Sequence, residues 1–142
     1  MTPHPLQASP TFAEEQFGFL LRVGYALEER WLTGGDSFRD GWRLTFAAPA
    51  MKVIVQYLDA QFEVHFVRNK LDASYLEIDR DMYARRSGFH GEMFSPDKLA
   101  PAITRIAADI QANYLSVLSG DDGEWTKIAQ LKAQPPKRSY LP

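Results

Sequence analysis

The stretch WRLTFAAPAMKVIVQYLDAQFEVHF, residues 42–66, decides the fold class of this chain. Apolar and polar side chains alternate in three of its segments, which are Trp42–Phe46, Met51–Tyr57 and Phe62–Phe66. Alternation with a period of two is typical of strands that bury one face. The connections between the segments are short, whereas a parallel crossover needs about a dozen residues. The stretch therefore predicts an antiparallel meander with a hairpin at Asp59–Ala60.

A helix and then a strand are predicted before the meander. Thr11 and Glu14 fit a capping box, while Ser9–Pro10 offers a competing helix start. Gly24 is suited to ending the helix as a left-handed residue. Tyr25–Trp31 then alternates and indicates a strand, although the same positions also fit a continued helical stripe. We favour the strand because glycine is a poor residue inside a helix.

A further strand and two helices are predicted after the meander. Alternation in Tyr75–Asp81 indicates a strand with one polar face. Ser95 is a good N-cap for a long helix, with Pro96 at the first helical position and Gly120 at the end. The helix has one apolar stripe, formed by Leu99, Ile103, Ile106, Ile110, Tyr114 and Val117. A short final helix is indicated by the spacing of Trp125, Ile128 and Leu131.

The order of these elements predicts an α+β domain. Its sheet is an antiparallel meander of four to five strands, and an N-terminal helix, a long helix and a short C-terminal helix cover one face. We expect residues 1–10 to be a flexible leader and residues 11–131 to be a single domain. Residues 132–142 are expected to form an extended tail rich in proline and basic side chains.

Composition excludes several classes of protein. Of the 142 residues, 45% are hydrophobic and 24% are charged, which is ordinary for a soluble globular domain. A formal net charge of −2 gives no electrostatic footprint for nucleic acid, and no run is long and apolar enough for a membrane span. The lack of cysteine excludes disulfides and thiolate metal sites. Because the N-terminus does not resemble a signal peptide, we expect a cytoplasmic location.

No catalytic or cofactor motif stands in the sequence. There is no GxSxG nucleophile motif, no phosphate-binding loop and no dinucleotide fingerprint. The three histidines have no metal-ligand spacing. We therefore expect no enzyme activity, no cofactor and no metal site.

Features spread along the chain form a known layout. Apolar residues of the first helix precede a glycine–aromatic step and the meander: Phe17, Leu20, Leu21, Gly24 and Tyr25. The long helix ends in the run Leu118–Asp121, and three apolar residues follow: Trp125, Ile128 and Leu131. Over roughly Thr11–Leu131 this layout resembles the small α+β immunity proteins of bacterial polymorphic-toxin and contact-dependent inhibition systems. The resemblance implies a non-enzymatic protein that binds a cognate toxin domain and blocks its active site or its folding.

Under this resemblance, acidic side chains are the candidate partner surface, because opposite charge accelerates association and sets its register. One candidate patch comprises Glu63, Glu77, Asp79 and Asp81. The second patch lies between the last two helices and comprises Asp121, Asp122 and Glu124. Glu77 and Asp79 are expected on the same strand face, about 7 Å apart.

Two other functions are open at this point. The first is a small-ligand-binding or enzymatic domain, with a pocket between the sheet and the long helix Ser95–Gly120. His65 and His90 would be the polar contacts of that pocket. The second is a homodimer formed through an exposed strand edge. No nucleic-acid or membrane partner is expected.

Overall fold

A five-stranded antiparallel sheet forms the centre of the fold. The computed structural model describes residues 10–32, 41–58, 61–79 and 96–133. The strands are β1 (Ala26–Leu32), β2 (Gly41–Ala48), β3 (Met51–Leu58), β4 (Gln61–Arg68) and β5 (Leu71–Ser74). Each strand pairs with the next along the chain, so the predicted meander is confirmed. Leu58 pairs with Gln61, as the predicted hairpin requires, although the two residues between them lie outside the described ranges.

Helices come before and after the sheet along the chain. They are α1 (Pro10–Gln16), α2 (Phe19–Arg22), α3 (Tyr75–Glu77), α4 (Pro96–Asn113), α5 (Leu115–Leu118) and α6 (Asp122–Ala133). The predicted α+β class is confirmed. None of the helices within the described ranges is long and apolar enough to cross a membrane.

One face of the sheet is buried under the helices. Residues that pair across β2, β3 and β4 form apolar rows, such as Trp42, Tyr57 and Phe62. The ring centroid of Trp42 lies 6.2 Å from that of Tyr57 and 6.3 Å from that of Phe62. All six residues of the apolar stripe predicted for the long helix are buried: Leu99, Ile103, Ile106, Ile110, Tyr114 and Val117. The sheet and α4 therefore share one apolar core.

The N-terminal region agrees with the prediction in its main features. α1 begins at Pro10, the earlier of the two expected starts, and the single predicted helix is divided into α1 and α2. Gly24 has a φ angle of +103°, which glycine adopts without the steric cost of a side chain. β1 begins at Ala26, so the strand prediction for Tyr25–Trp31 is confirmed. The continued helix that the spacing also allowed does not form.

The C-terminal helices differ from the prediction in their boundaries. α4 begins at Pro96 as predicted, but the helical run toward Gly120 is interrupted at Tyr114, whose φ and ψ angles are −117° and 20°. α6 ends at Ala133, two residues into the predicted tail. The rest of the predicted leader and tail lies outside the described residues.

The prediction of a strand over Tyr75–Asp81 is wrong. β5 ends at Ser74, and α3 begins at the next residue. The Ser74 hydroxyl accepts a hydrogen bond of 3.1 Å from the Glu77 backbone N–H, and the Glu77 carboxylate accepts one of 3.0 Å from the Ser74 backbone N–H. This reciprocal capping box satisfies donors that a helix start leaves free, so local capping outweighs the alternating pattern. Glu77 and Asp79 consequently do not share a strand face.

Candidate functional site on the open face of the sheet

The second face of the sheet lies opposite the core, and we call it the open face. Apart from Pro10 and Ala100, the buried residues of the described helices belong to one core cluster with the apolar face of the sheet. The open face carries Glu28, Glu29, Trp31, Arg43, Thr45, Lys52, Ile54, Gln56, Glu63, His65 and Asp72. Most of these side chains line a concave region of about 630 Å³. Accessible polar groups in a concavity are typical of a binding surface, which makes the open face the candidate site.

One row of the open face crosses four strands in register. Trp31, Arg43, Gln56 and Glu63 are successive cross-strand partners on β1, β2, β3 and β4. The guanidinium carbon of Arg43 lies 4.8 Å from the centroid of the Trp31 ring, a cation–π distance. Arg43 Nε donates a 3.3 Å hydrogen bond to Gln56 Oε1, and Gln56 Nε2 donates one of 2.9 Å to Glu63 Oε1. Each side chain of the row therefore orients the next.

His65 extends this row to the fifth strand. Its Nδ1 lies 2.9 Å from Asp72 Oδ1 on β5, and its Nε2 lies 3.6 Å from Glu63 Oε1. The side chain of His65 is 24% exposed, so water reaches it. A continuous chain of polar contacts thus runs from Trp31 on one edge strand to Asp72 on the other.

A β-bulge brings two consecutive glutamates of β1 to the open face. The pairing of β1 with β2 shifts between Leu27 and Glu29, which leaves Glu28 as the extra residue. Glu28 Oε2 lies 3.2 Å from Lys52 Nζ, and Glu29 Oε1 accepts a 3.3 Å hydrogen bond from the Thr45 hydroxyl. Neighbouring residues of a regular strand point to opposite faces, so this arrangement depends on the bulge.

The open face carries more negative than positive side chains. Glu28, Glu29, Glu63 and Asp72 supply the carboxylates, whereas Arg43 and Lys52 supply the permanent positive charges. Within the described residues, no three His, Asp or Glu side chains are arranged to hold a metal ion. The groups that the open face presents are charges and hydrogen-bond donors and acceptors.

The first predicted acidic patch is not assembled as one surface. Glu63 lies on the open face, but the Glu77 carboxylate accepts a 2.7 Å hydrogen bond from Lys132 of α6. Asp79 is fully buried and accepts a 3.4 Å hydrogen bond from the Tyr114 hydroxyl. The prediction of Asp79 as a surface residue is wrong, because its side chain is buried against Tyr114. Asp81 lies outside the described residues.

The second predicted patch stabilises the start of α6. Asp121 Oδ1 accepts a 3.0 Å hydrogen bond from the Glu124 backbone N–H, as an N-cap residue does. Asp122 Oδ1 lies 2.5 Å from Arg68 Nη2, and Glu124 Oε1 lies 3.4 Å from Lys127 Nζ. Negative charge in the first helical turn also interacts favourably with the positive end of the helix dipole. These contacts explain the three acidic residues without a partner protein.

The predicted ligand pocket does not contain His65. His65 lies on the open face, whereas its neighbour Phe66 points into the core and stacks on Tyr114 at 5.8 Å between ring centroids. Alternation along β4 places adjacent residues on opposite faces, so His65 cannot contact a pocket between the sheet and α4. His90, the other predicted contact, lies outside the described residues.

Sequence reasoning missed several members of the open face, namely Trp31, Arg43, Lys52, Gln56 and Asp72. Arg43, Lys52 and Gln56 lie between apolar residues in segments that were predicted to alternate, which was the available signal. Trp31 reaches the open face only through the β-bulge, so alternation could not place it there. They carry no motif, because a cross-strand row has one residue in each strand and no fixed spacing along the chain.

The contact between Glu77 and Lys132 is expected to make part of the stability acid-sensitive. Partial burial raises the pKa of Glu77, but hydrogen bonds from Lys132 and Ser74 and the charge of Lys132 together hold the pKa below its ordinary value of 4.5. A carboxylate with a lowered pKa stabilises the folded state above its unfolded pKa, and the contribution is lost as the pH falls through the folded pKa. We therefore expect Glu77→Gln to lose less stability than the wild type between neutral pH and about pH 3.

Urea unfolding at the two pH values measures this difference. Glutamine preserves the capping box with Ser74 while it removes the charge. Glu15→Gln is the matched control, because Glu15 is exposed on α1. Equal acid sensitivity of Glu77→Gln and the wild type would contradict the assignment.

Comparison with known proteins leaves the function to be argued from this geometry. A scan against protein-family models gives no match to the chain, and neither does a search of the curated proteins or of the solved structures.

Proposed function

We propose that this chain is a non-enzymatic, immunity-type protein that binds and neutralises a cognate bacterial toxin domain, with the open face as its binding surface. The observation that carries the proposal is the continuous polar row from Trp31 to Asp72 across the sheet. The side chains of this row are held by one another on a hydrogen-bonded sheet. A surface of this kind loses little conformational entropy when a partner binds.

The chemistry of the open face suits a protein partner. Tryptophan and arginine are enriched among the residues that dominate binding energy, and Trp31 with Arg43 forms such a pair at one side of the face. Carboxylates surround this pair, so a partner surface with basic groups is favoured and is attracted at long range. The proposal includes a cytoplasmic location for the complex.

The size of the open face indicates that the partner contacts more than the sheet. Five strands at the usual spacing span about 19 Å, and seven residues of strand extend about 23 Å. Their product is about 440 Å², roughly half of the 800 Å² that one partner buries in a standard interface. Residues beyond the open face therefore belong to the proposed interface as well.

Affinity capture from the native lysate tests the proposal. We expect the tagged protein to retain one stoichiometric partner that carries a toxin domain, and retention should weaken as salt rises because exposed charges are screened. Glu63→Lys and Asp72→Lys should each reduce retention at least tenfold, since both place a positive charge on the acidic part of the face. Glu15→Lys makes the same kind of change on α1 and should leave retention unchanged.

Two results would reject the proposal. One is the lack of any stoichiometric partner when the products of neighbouring genes are co-expressed. The other is a partner whose retention falls equally for Glu63→Lys and Glu15→Lys. Thermal unfolding of each variant distinguishes a loss of binding from a loss of folding.

A further inference from the structure

We propose that Arg43 is the anion-recognition point of the open face and takes the side-chain carboxylate of an Asp or Glu residue on a partner protein. This inference names the chemistry of one contact, and it rests on the proposed function only for the partner's role as a toxin. The acidic character of the open face predicts basic groups on the partner. The geometry of Arg43 adds an acidic group at a defined position among them.

The guanidinium group of Arg43 is held in one orientation by two contacts. Its central carbon lies over the Trp31 ring, 4.8 Å from the ring centroid. Its Nε donates to Gln56 Oε1 at 3.3 Å. Within the described part of the chain, the two Nη atoms have no hydrogen-bond or ion-pair partner. The end of the guanidinium fork is therefore oriented and available.

The orientation of the Gln56 amide follows from its other neighbour. An ionised carboxylate only accepts hydrogen bonds, so the group of Gln56 that faces Glu63 at 2.9 Å must be the amino group. The carbonyl oxygen then faces Arg43 and uses its Nε–H. Glu63 thus orients Arg43 through Gln56, although the two charged side chains are two strands apart.

A single carboxylate fits the free end of Arg43 better than the phosphate backbone of a nucleic acid does. The paired N–H groups of a guanidinium fork match the two oxygens of a carboxylate, and such bidentate contacts are among the stronger hydrogen bonds of proteins. A nucleic acid would bring a row of phosphates against Glu29, Glu63 and Asp72, and like charges would repel it. A protein surface can place one carboxylate at Arg43 and neutral or basic groups around it.

The test uses a displayed library of random twelve-residue peptides, selected in parallel against the full-length wild type and against Arg43→Lys. Lysine keeps the positive charge and loses the fork. We expect the binders that are specific to the wild type to contain Asp or Glu. Replacing that acid by its amide should weaken binding to the wild type at least tenfold and should change binding to Arg43→Lys little.

Two further variants separate recognition from folding. Gln56→Leu removes the contact that orients Arg43 and keeps the arginine, so it should weaken the same peptides by an intermediate factor. Arg30→Lys is the matched control, because the Arg30 side chain of β1 bonds to Thr11 of α1 at 2.5 Å rather than to the open face. Arg30→Lys should bind these peptides as the wild type does. Thermal unfolding of all variants accompanies the binding measurements.

Three outcomes would overturn the inference. They are identical peptides selected by the wild type and Arg43→Lys, an acid-to-amide effect that is equal on both proteins, and no peptide whose binding depends on Arg43. Arg43-dependent binding of a twelve-nucleotide single-stranded DNA would overturn it as well, in favour of phosphate recognition. The peptide experiment involves no toxin, so its outcome is independent of whether affinity capture succeeds.

Discussion

Trp42→Ala is expected to lower the free energy of unfolding by about 3–5 kcal/mol, the range for removing a large buried aromatic side chain. Trp42 is completely buried on the core face of the sheet, and its ring lies near those of Tyr57 and Phe62. Alanine would remove the indole ring and leave a cavity that neighbouring strands cannot close, because hydrogen bonds hold their spacing. Urea or thermal unfolding measures the loss.

Trp31→Ala is the matched control for this prediction. Trp31 is on the same sheet but lies on the open face and is 38% exposed. Its contact with the Arg43 guanidinium is worth about 0.5–1 kcal/mol at an exposed site. We therefore expect the two tryptophan variants to differ by at least about 2 kcal/mol. Equal losses would contradict the assignment of the core to the Trp42 face.

Gly41→Ala is expected to lower the free energy of unfolding by at least about 2 kcal/mol. Gly41 has a φ angle of +131°, a conformation that side chains strongly disfavour. A Cβ atom there would lie 2.6 Å from the Tyr57 carbonyl oxygen and 2.8 Å from Leu58 Cδ2. The carbonyl belongs to the paired strand β3, so the clash cannot be relieved by rotating a side chain.

Gly24→Ala separates the two contributions at Gly41. Gly24 also has a positive φ angle, of +103°, but a Cβ atom there would meet nothing within 4 Å. Its substitution therefore tests the backbone strain without the steric clash, and we expect a loss of about 1–2 kcal/mol. Unfolding curves should give Gly41→Ala a clearly lower free energy of unfolding than Gly24→Ala. The reverse order would show that the start of β2 adapts to a side chain.

Much of the fold was predictable because the relevant physics is local. Alternation in residues 42–66 and short connections are sufficient for an antiparallel meander, since no other pairing of such segments satisfies both. The long helix was predictable for the same reason, with its apolar stripe and Pro96 at the start. The error at Tyr75–Asp81 arose where two local patterns competed. Four residues from Ser74 to Glu77 fit a capping box, and the structure follows that pattern.

The centre of the candidate site was also contained in the sequence, although it carries no motif. Two-residue connections pair Ala48 with Met51 and Leu58 with Gln61, and these pairs fix the register of three strands. Counting back along the strands then places Arg43, Gln56 and Glu63 in one row. The length of a turn sets the register, because each step away from the turn along one strand is matched by one step along its partner.

The sequence by itself determined which face of each central strand is buried and which polar side chains share the open face, because both depend on a period of two and on short turns. Only the tertiary structure decided the position of Trp31 beside Arg43, since a longer connection and a β-bulge separate β1 from that register. It also decided that Asp79 is buried and that Glu77 contacts Lys132, residues 55 positions apart in the chain. Contacts of this kind depend on how helices pack on the sheet, and no local pattern encodes that packing.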